Sequence, residues 1–358
     1  MNRSARLALL SIWTLAACGG EPHDAEPAPE VGPPSSAYSK PPSTLEGWNL
    51  FADAPRQRPG PRTVPYEVIS PLFADYALKQ RFVYVPEGET IGYDPEDYWT
   101  LPSGSILIKT FLYPADLRQP EADRRLLETR LIVFTDDDVQ VHTYVWDQAQ
   151  REATRKVAGA TLPVEWTHFD GEQRENDYRV PNTNQCLDCH GKRGETHTLG
   201  LRTRQMDRDD QLEHFTELDL FDRTPEPPEE RERLVDPFGD ASLSDRARSY
   251  LDSNCSQCHT QGGDASKSGM WIDWKHTAAD QPRAQWGVCK RPTSASGATC
   301  GNEVDIAPGE PERSIYLCRL ESTDSKVQMP PLGRNLLHDE AVALIRDWIA
   351  ALPPGCDD

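Results

Sequence analysis

From about Leu45 to Val180 apolar residues recur with the two-residue period of β-strands. Ser105–Tyr113 carries Ile106, Ile108 and Leu112, and the stretches Thr129–Thr135 and Val139–Trp146 flank the acidic turn Asp136-Asp137-Asp138, a hairpin signature. In the second of these, Val139, Val141, Thr143 and Val145 share one face, and Gln140, His142, Tyr144 and Trp146 the other. Gly159 and Pro163 punctuate further short strands, so residues 45–180 read as a β-sandwich-like domain.

The period then changes. Residues 181–190 read as loop, Arg208–Leu220 as a short helix, and the proline- and charge-rich residues 222–237 as a linker. Ser242–Asn254 has helical spacing through Leu243, Ala247, Tyr250 and Leu251. Asp339–Leu352 puts Ala341, Leu344, Ile345, Trp348 and Ile349 on one stripe, and Pro353-Pro354-Gly355 stops it. The fold class expected is α+β and multidomain. A β-sandwich-like domain (45–180) is followed by a first motif segment and linker (181–237) and a mainly α-helical domain (238–358).

The N-terminus adds an address. Arg3 and Arg6 precede the short apolar run Leu7–Ala17, which ends Leu15-Ala16-Ala17-Cys18. That is a secretory signal, too short to span a bilayer, whose small residues before Cys18 resemble a lipoprotein box. Residues 1–18 are thus expected to be a lipoprotein signal, with Cys18 the lipidated anchor to a membrane. Gly19, in place of an acidic residue, points to the outer membrane, facing the periplasm or the exterior. Residues 19–44 hold seven prolines among acidic and small residues and read as a disordered tether. A net charge of −20 argues against nucleic acid and permits steering toward a basic partner.

The nine cysteines divide unevenly. One is Cys18, and four lie in two CxxCH motifs, Cys186/Cys189/His190 and Cys255/Cys258/His259. The remainder, Cys289, Cys300, Cys318 and Cys356, are an even number in an oxidising compartment and suggest two disulfides, for which Cys289–Cys300 and Cys318–Cys356 are the expected pairs. CxxCH binds haem c because two thiols at this spacing reach the two vinyl groups while the histidine reaches the iron. Zinc would require a second ligand pair near each motif, and a thioredoxin-like redox motif a βαβ setting; neither pattern is present. Two covalently attached haem c groups are therefore expected.

The second motif follows a helix and precedes Met329 in Val327-Gln328-Met329-Pro330-Pro331, with a closing helix after it. Met329 is the expected sixth ligand there, a thioether that favours Fe(II). For the first motif the candidates are Met206, His197, His214, His142 and His168, or an open position.

Dispersed stretches carry a resemblance. They include Pro65-Tyr66, Ser70-Pro71-Leu72-Phe73-Ala74-Asp75-Tyr76-Ala77, Ile108-Lys109-Thr110-Phe111, Glu128-Thr129-Arg130-Leu131, Tyr144-Val145-Trp146, Gln185-Cys186, Arg246-Ala247-Arg248-Ser249-Tyr250-Leu251, Asn254-Cys255, Asp305-Ile306-Ala307-Pro308-Gly309 and Met329-Pro330. Through them the chain resembles a family of uncharacterised bacterial di-haem c-type cytochromes, from about Leu45 to Ile349. The resemblance implies two covalent haems and an extracytoplasmic location. It also implies that Met329 fits the family pattern, whereas the position of Met206 is often leucine. The function expected is single-electron transfer between redox protein partners. The alternatives are a di-haem peroxidase-like enzyme with one open iron, and a β-sandwich binding module, marked by Tyr144 and Trp146, with an attached redox domain.

Overall fold

The computed structural model describes residues 32–192, 195–196, 198–293 and 298–356, with the backbone alone for 187–189, 191–192 and 195–196. The signal segment, Cys18 and His197 lie outside the described residues. Residues 32–44, read from the sequence as the end of a tether, are ordered. They include helix α1 (Ser35–Ser39), whose Ala37 is buried. Tyr38 Oη donates to Gly104 O at 2.7 Å, pinning this segment to the body.

A small pair, β1 (Phe51–Asp53) and β2 (Arg58–Pro59), leads into an antiparallel meander. It consists of β3 (Thr63–Tyr66), β4 (Leu78–Tyr84), β5 (Ile106–Pro114), β6 (Arg124–Phe134), β7 (Val139–Trp146) and β8 (Ala153–Arg155), in that spatial order. The expected hairpin is β6–β7, closing with Phe134 opposite Val139. Both faces of this sheet are covered, so neighbouring residues such as Leu131, Ile132 and Val133 are all buried. One face (Phe82, Ile106, Ile108, Leu131, Tyr144, Trp146) packs under Ala37, Leu45, Trp48 and Leu50. Trp48 Nε1 donates to Tyr144 Oη at 2.5 Å, and that hydroxyl donates to Pro42 O at 2.9 Å. Tyr144 and Trp146 are therefore core, not a binding surface.

The other face carries Val83, Leu107, Ile132 and Val141. Part of it meets the hairpin β9 (Ala160–Thr167) and β10 (Gln173–Val180) through Phe111, Tyr113, Val164, Trp166 and Tyr178. The chain continues through α2 (Thr183–His190), the two-residue strands β11 (Gly191–Lys192) and β12 (Glu195–Thr196), α3 (Thr203–Met206), α4 (Gln211–Glu217) and α5 (Leu243–Asn254). It ends with α6 (Ile315–Leu320) and α7 (Asp339–Ala351).

Two expectations need correction. The C-terminal region is not mainly α-helical, and the chain as a whole is β-rich. Helices α5 and α7 form as expected, with Ser242 Oγ capping Asp245 N and the anticipated stripe of α7 buried. Among the described residues between them lie turns, short 3-10 segments and the six-residue α6. Residues 259–314 are rich in Gly, Ser, Thr and Pro, which favour turns over helix, so two good terminal helices do not extend into a bundle. The sulfur pairing also differs: Cys289 bonds Cys356 and Cys300 bonds Cys318. The chain after α7 returns to residues 283–289, where Arg283 Nη2 donates to Pro353 O at 2.9 Å, and residues 304–305 run beside α6. Proximity in space, not in sequence, sets the pairs. Among the described residues no helix is long and apolar enough to cross a membrane.

The segment 70–77 joins the sheet to the C-terminal part. Ser70 Oγ donates to Ser249 O (3.0 Å), and Asn254 Oδ1 accepts from Phe73 N (2.7 Å). Asp75 Oδ1 accepts from Asn335 N and Leu336 N (2.7 and 2.9 Å). Nearby, buried Asp252 receives Arg204 through two nitrogens at 3.2 and 3.3 Å and Trp274 N at 2.9 Å. Replacing Asp252 by Ala leaves Arg204 and Arg202 charged and buried without their carboxylate, an expected loss of about 3–5 kcal/mol. Urea unfolding of D252A measures it, and a change below about 1 kcal/mol would contradict this role.

Candidate functional site: a cavity shared by both CxxCH motifs

Helix α2 carries the first motif itself, a segment that the sequence pattern read as loop. The signal was a capping box: Gln185 N donates to Asn182 Oδ1 (3.0 Å) and Asn182 N to Gln185 Oε1 (3.1 Å). Helical spacing then places positions 186, 189 and 190 on one face. Cys186 is buried against Val83, Leu107, Ile132 and Val141 of the sheet.

The second motif leaves the end of α5 in a continued helical turn. Cys258 N and His259 N both donate to Cys255 O, at 3.1 and 3.0 Å, which turns residues 255, 258 and 259 to one side. Asn254, clamped by Phe73 N, fixes the start of that turn. His259 Nδ1 lies 3.3 Å from Ser268 Oγ, a contact that orients the ring through that nitrogen. Cys255 Sγ is 3.1 Å from Tyr316 Oη. Burial pushes this thiol up to about 12, against the hydrogen bond from Tyr316.

Both motifs open into one cavity of about 1560 Å³ between the sheet and the C-terminal part. Cys186, His190, Cys255, Cys258, His259 and Met329 all line it. Single small-molecule sites are typically ~300–1,000 Å³, so this space suits more than one large group. Among the described residues no three His, Cys, Asp or Glu side chains converge to hold a bare metal ion. Two buried polar atoms without a partner, Thr198 Oγ1 and Arg334 Nε, belong to residues of the cavity wall. Both atoms have essentially no accessible surface, so a group bound in the cavity does not reach them. The residues fit two haem c groups.

Met329 lines the same cavity as the second motif, its N–H held by Arg319 O at 2.9 Å. Met270, which sequence reasoning missed, also lines the cavity and is nine-tenths buried. The candidates for the first motif fare differently. Met206 is fully buried in the core beside Leu212 and Phe215, with Gln211 Nε2 3.7 Å from its sulfur, and does not line the cavity. His142 stacks on Trp48 on the opposite face of the sheet. His214 lies on α4, away from the cavity wall. Cys189 belongs to α2, where the backbone alone is described.

His168 joins a separate buried cluster behind the wall. Trp166 Nε1 is 3.3 Å from its Nδ1, and Glu340 Oε1 is 3.5 Å from its Nε2. Tyr76 Oη donates to Glu340 Oε2 (3.0 Å), and His338 stacks on Phe73 with ring centroids 4.1 Å apart. Tyr250 Oη lies 3.2 Å from His338 Nδ1. Burial, with Lys79 adding to it, lowers His338 to about 3.

An unfolded histidine titrates near ~6.5, so between about pH 3 and 6.5 the unfolded chain binds one more proton than the fold. This group therefore adds about 1.4 kcal/mol of stability per pH unit as pH rises through that window, and nothing further above it. His338→Gln should shrink the stability difference between pH 4 and pH 7 by about 3 kcal/mol, read from urea midpoints at the two pH values. The remaining acid sensitivity includes His142, lowered by burial to about 4. An unchanged difference in H338Q would contradict the assignment.

No protein-family model, curated protein or solved structure matches this chain, so its chemistry is argued from its own residues.

Proposed function

We propose that the protein is an exported di-haem c-type cytochrome, of the family it resembles, that passes single electrons between redox protein partners. The observation that carries this is the shared cavity: two CxxCH motifs far apart in sequence line one large space. A haem c at each motif supplies reversible one-electron chemistry at its iron. The protein's part is to bind, orient and enclose. Cys186 with Cys189, and Cys255 with Cys258, are the attachment thiols, and His190 and His259 the axial ligands. Met329 is the thioether ligand of the second site. Leu107, Ile132 and Val141 line the wall with apolar surface, which keeps water from the first site.

The two disulfides support export, because such bonds persist in oxidising compartments. Anchoring through a lipidated Cys18, on the periplasmic or exterior side of the outer membrane, belongs to the same proposal. The net charge of −20 suits encounter with basic partners. A second reading is peroxidase-like reduction of a small oxidant at the first site. Among the described residues, the candidates Met206, His142, His168 and His214 lie away from the cavity wall, which supports this reading.

Made in a host that attaches haem c, the wild-type chain should carry two covalent haems by denaturing haem stain and intact mass. C186A/C189A and C255A/C258A should each carry one. A wild-type chain without covalent haem would overturn the proposal. Hydrogen peroxide turnover with a reduced cytochrome donor decides between the readings: electron transfer predicts none, and rapid turnover establishes the second.

A further inference from the structure

We infer that Arg81, Lys109 and Arg130, with Lys79 beside them, seat the carboxylates of the group held at Cys186 and His190. This rests on the proposed haem attachment and goes beyond it by assigning the charged end of the site.

Arg81 lies opposite Lys109 and Lys109 opposite Arg130, so three cations cross three adjacent strands in one row. All three, and Lys79, line the cavity. Like charges directly opposite in a sheet destabilise it unless something compensates. The heads crowd round a single ring: Lys79 Nζ, Lys109 Nζ and Arg130 Cζ lie 5.9, 5.8 and 4.1 Å from the Phe111 centroid. Glu128 takes Arg130 through two nitrogens at 2.5 and 2.8 Å, and Glu67 takes Arg81 at 3.1 Å. Lys79 instead donates to a neutral acceptor, Leu72 O, at 2.8 Å. Its ammonium is pushed well below the usual range by burial and by Arg81, Lys109 and Arg130, with Asp75 opposing.

The next row on the same face is Val83, Leu107, Ile132 and Val141, entirely apolar, and Cys186 packs against it. An apolar floor beside the attachment thiol, edged by cations, matches an amphiphilic ring with carboxylates along one side.

The test is a spectroelectrochemical titration of both haem couples in the full chain, comparing wild type, Lys79→Met, Lys109→Met and Lys109→Arg. Haem content of the wild type is counted first, so that failure of attachment itself is distinguished from failure of this seat. Removing a cation beside a haem carboxylate favours the ferric form. Each Met variant should keep two haems and shift one couple at least threefold toward the oxidised state, leaving the other unmoved. K109R should stay near wild type. Unchanged couples in both Met variants would overturn the inference. So would a shift of the wild-type couple by added succinate or inorganic phosphate that the Met variants abolish, which would assign the row to a soluble anion.

Discussion

The cavity-facing side of the central sheet is apolar in one row and cationic in the next, and the rest of the molecule is arranged around that surface. A protein core does not tolerate Arg81, Lys109 and Arg130 pressed against apolar neighbours, and open water would expose Leu107, Ile132 and Val141. The chain therefore closes a chamber over them. Segment 70–77 is the hinge of that closure. It binds the end of α5 through Phe73 and Asn254, and the loop after Met329 through Asp75. The same contacts that close the chamber aim the second CxxCH turn into it.

Closure in this form makes the two attachment sites interdependent. Helix α2 rests its first motif on the sheet, and the second motif approaches from the C-terminal part. Neither site has a complete wall of its own. A change in segment 70–77 should be felt at both. The conspicuous run Ser70–Ala77 acts by holding, not by chemistry.

Much of the fold was legible where one short-range signal dominated. The β6–β7 hairpin follows from alternation around Asp136–Asp138, and α7 from its apolar stripe with the proline stop. Both CxxCH motifs could be read because their chemistry is local. Helix α2 escaped because its sequence has no apolar stripe, and only the Asn182–Gln185 box marks its start. The C-terminal region misled in the opposite way, since two well-formed terminal helices suggested a bundle that the turn-forming residues between them do not build. The pairing of Cys289 with Cys356 depends on the chain returning past residues 283–289, which no local pattern encodes. The basic row was invisible for the same reason. Lys79, Arg81, Lys109 and Arg130 look like ordinary polar positions of alternating strands until strand register sets them side by side.

The central claim is that two haems occupy one chamber. Low-temperature EPR on fully oxidised and half-reduced samples tests it most directly, through the spin relaxation of one ferric haem as the other is reduced. The account predicts two ferric signals, integrating to two spins per chain, and a clear change in the relaxation of the remaining signal once its neighbour becomes diamagnetic. Two ferric signals whose relaxation is independent of each other's oxidation state would contradict a shared chamber.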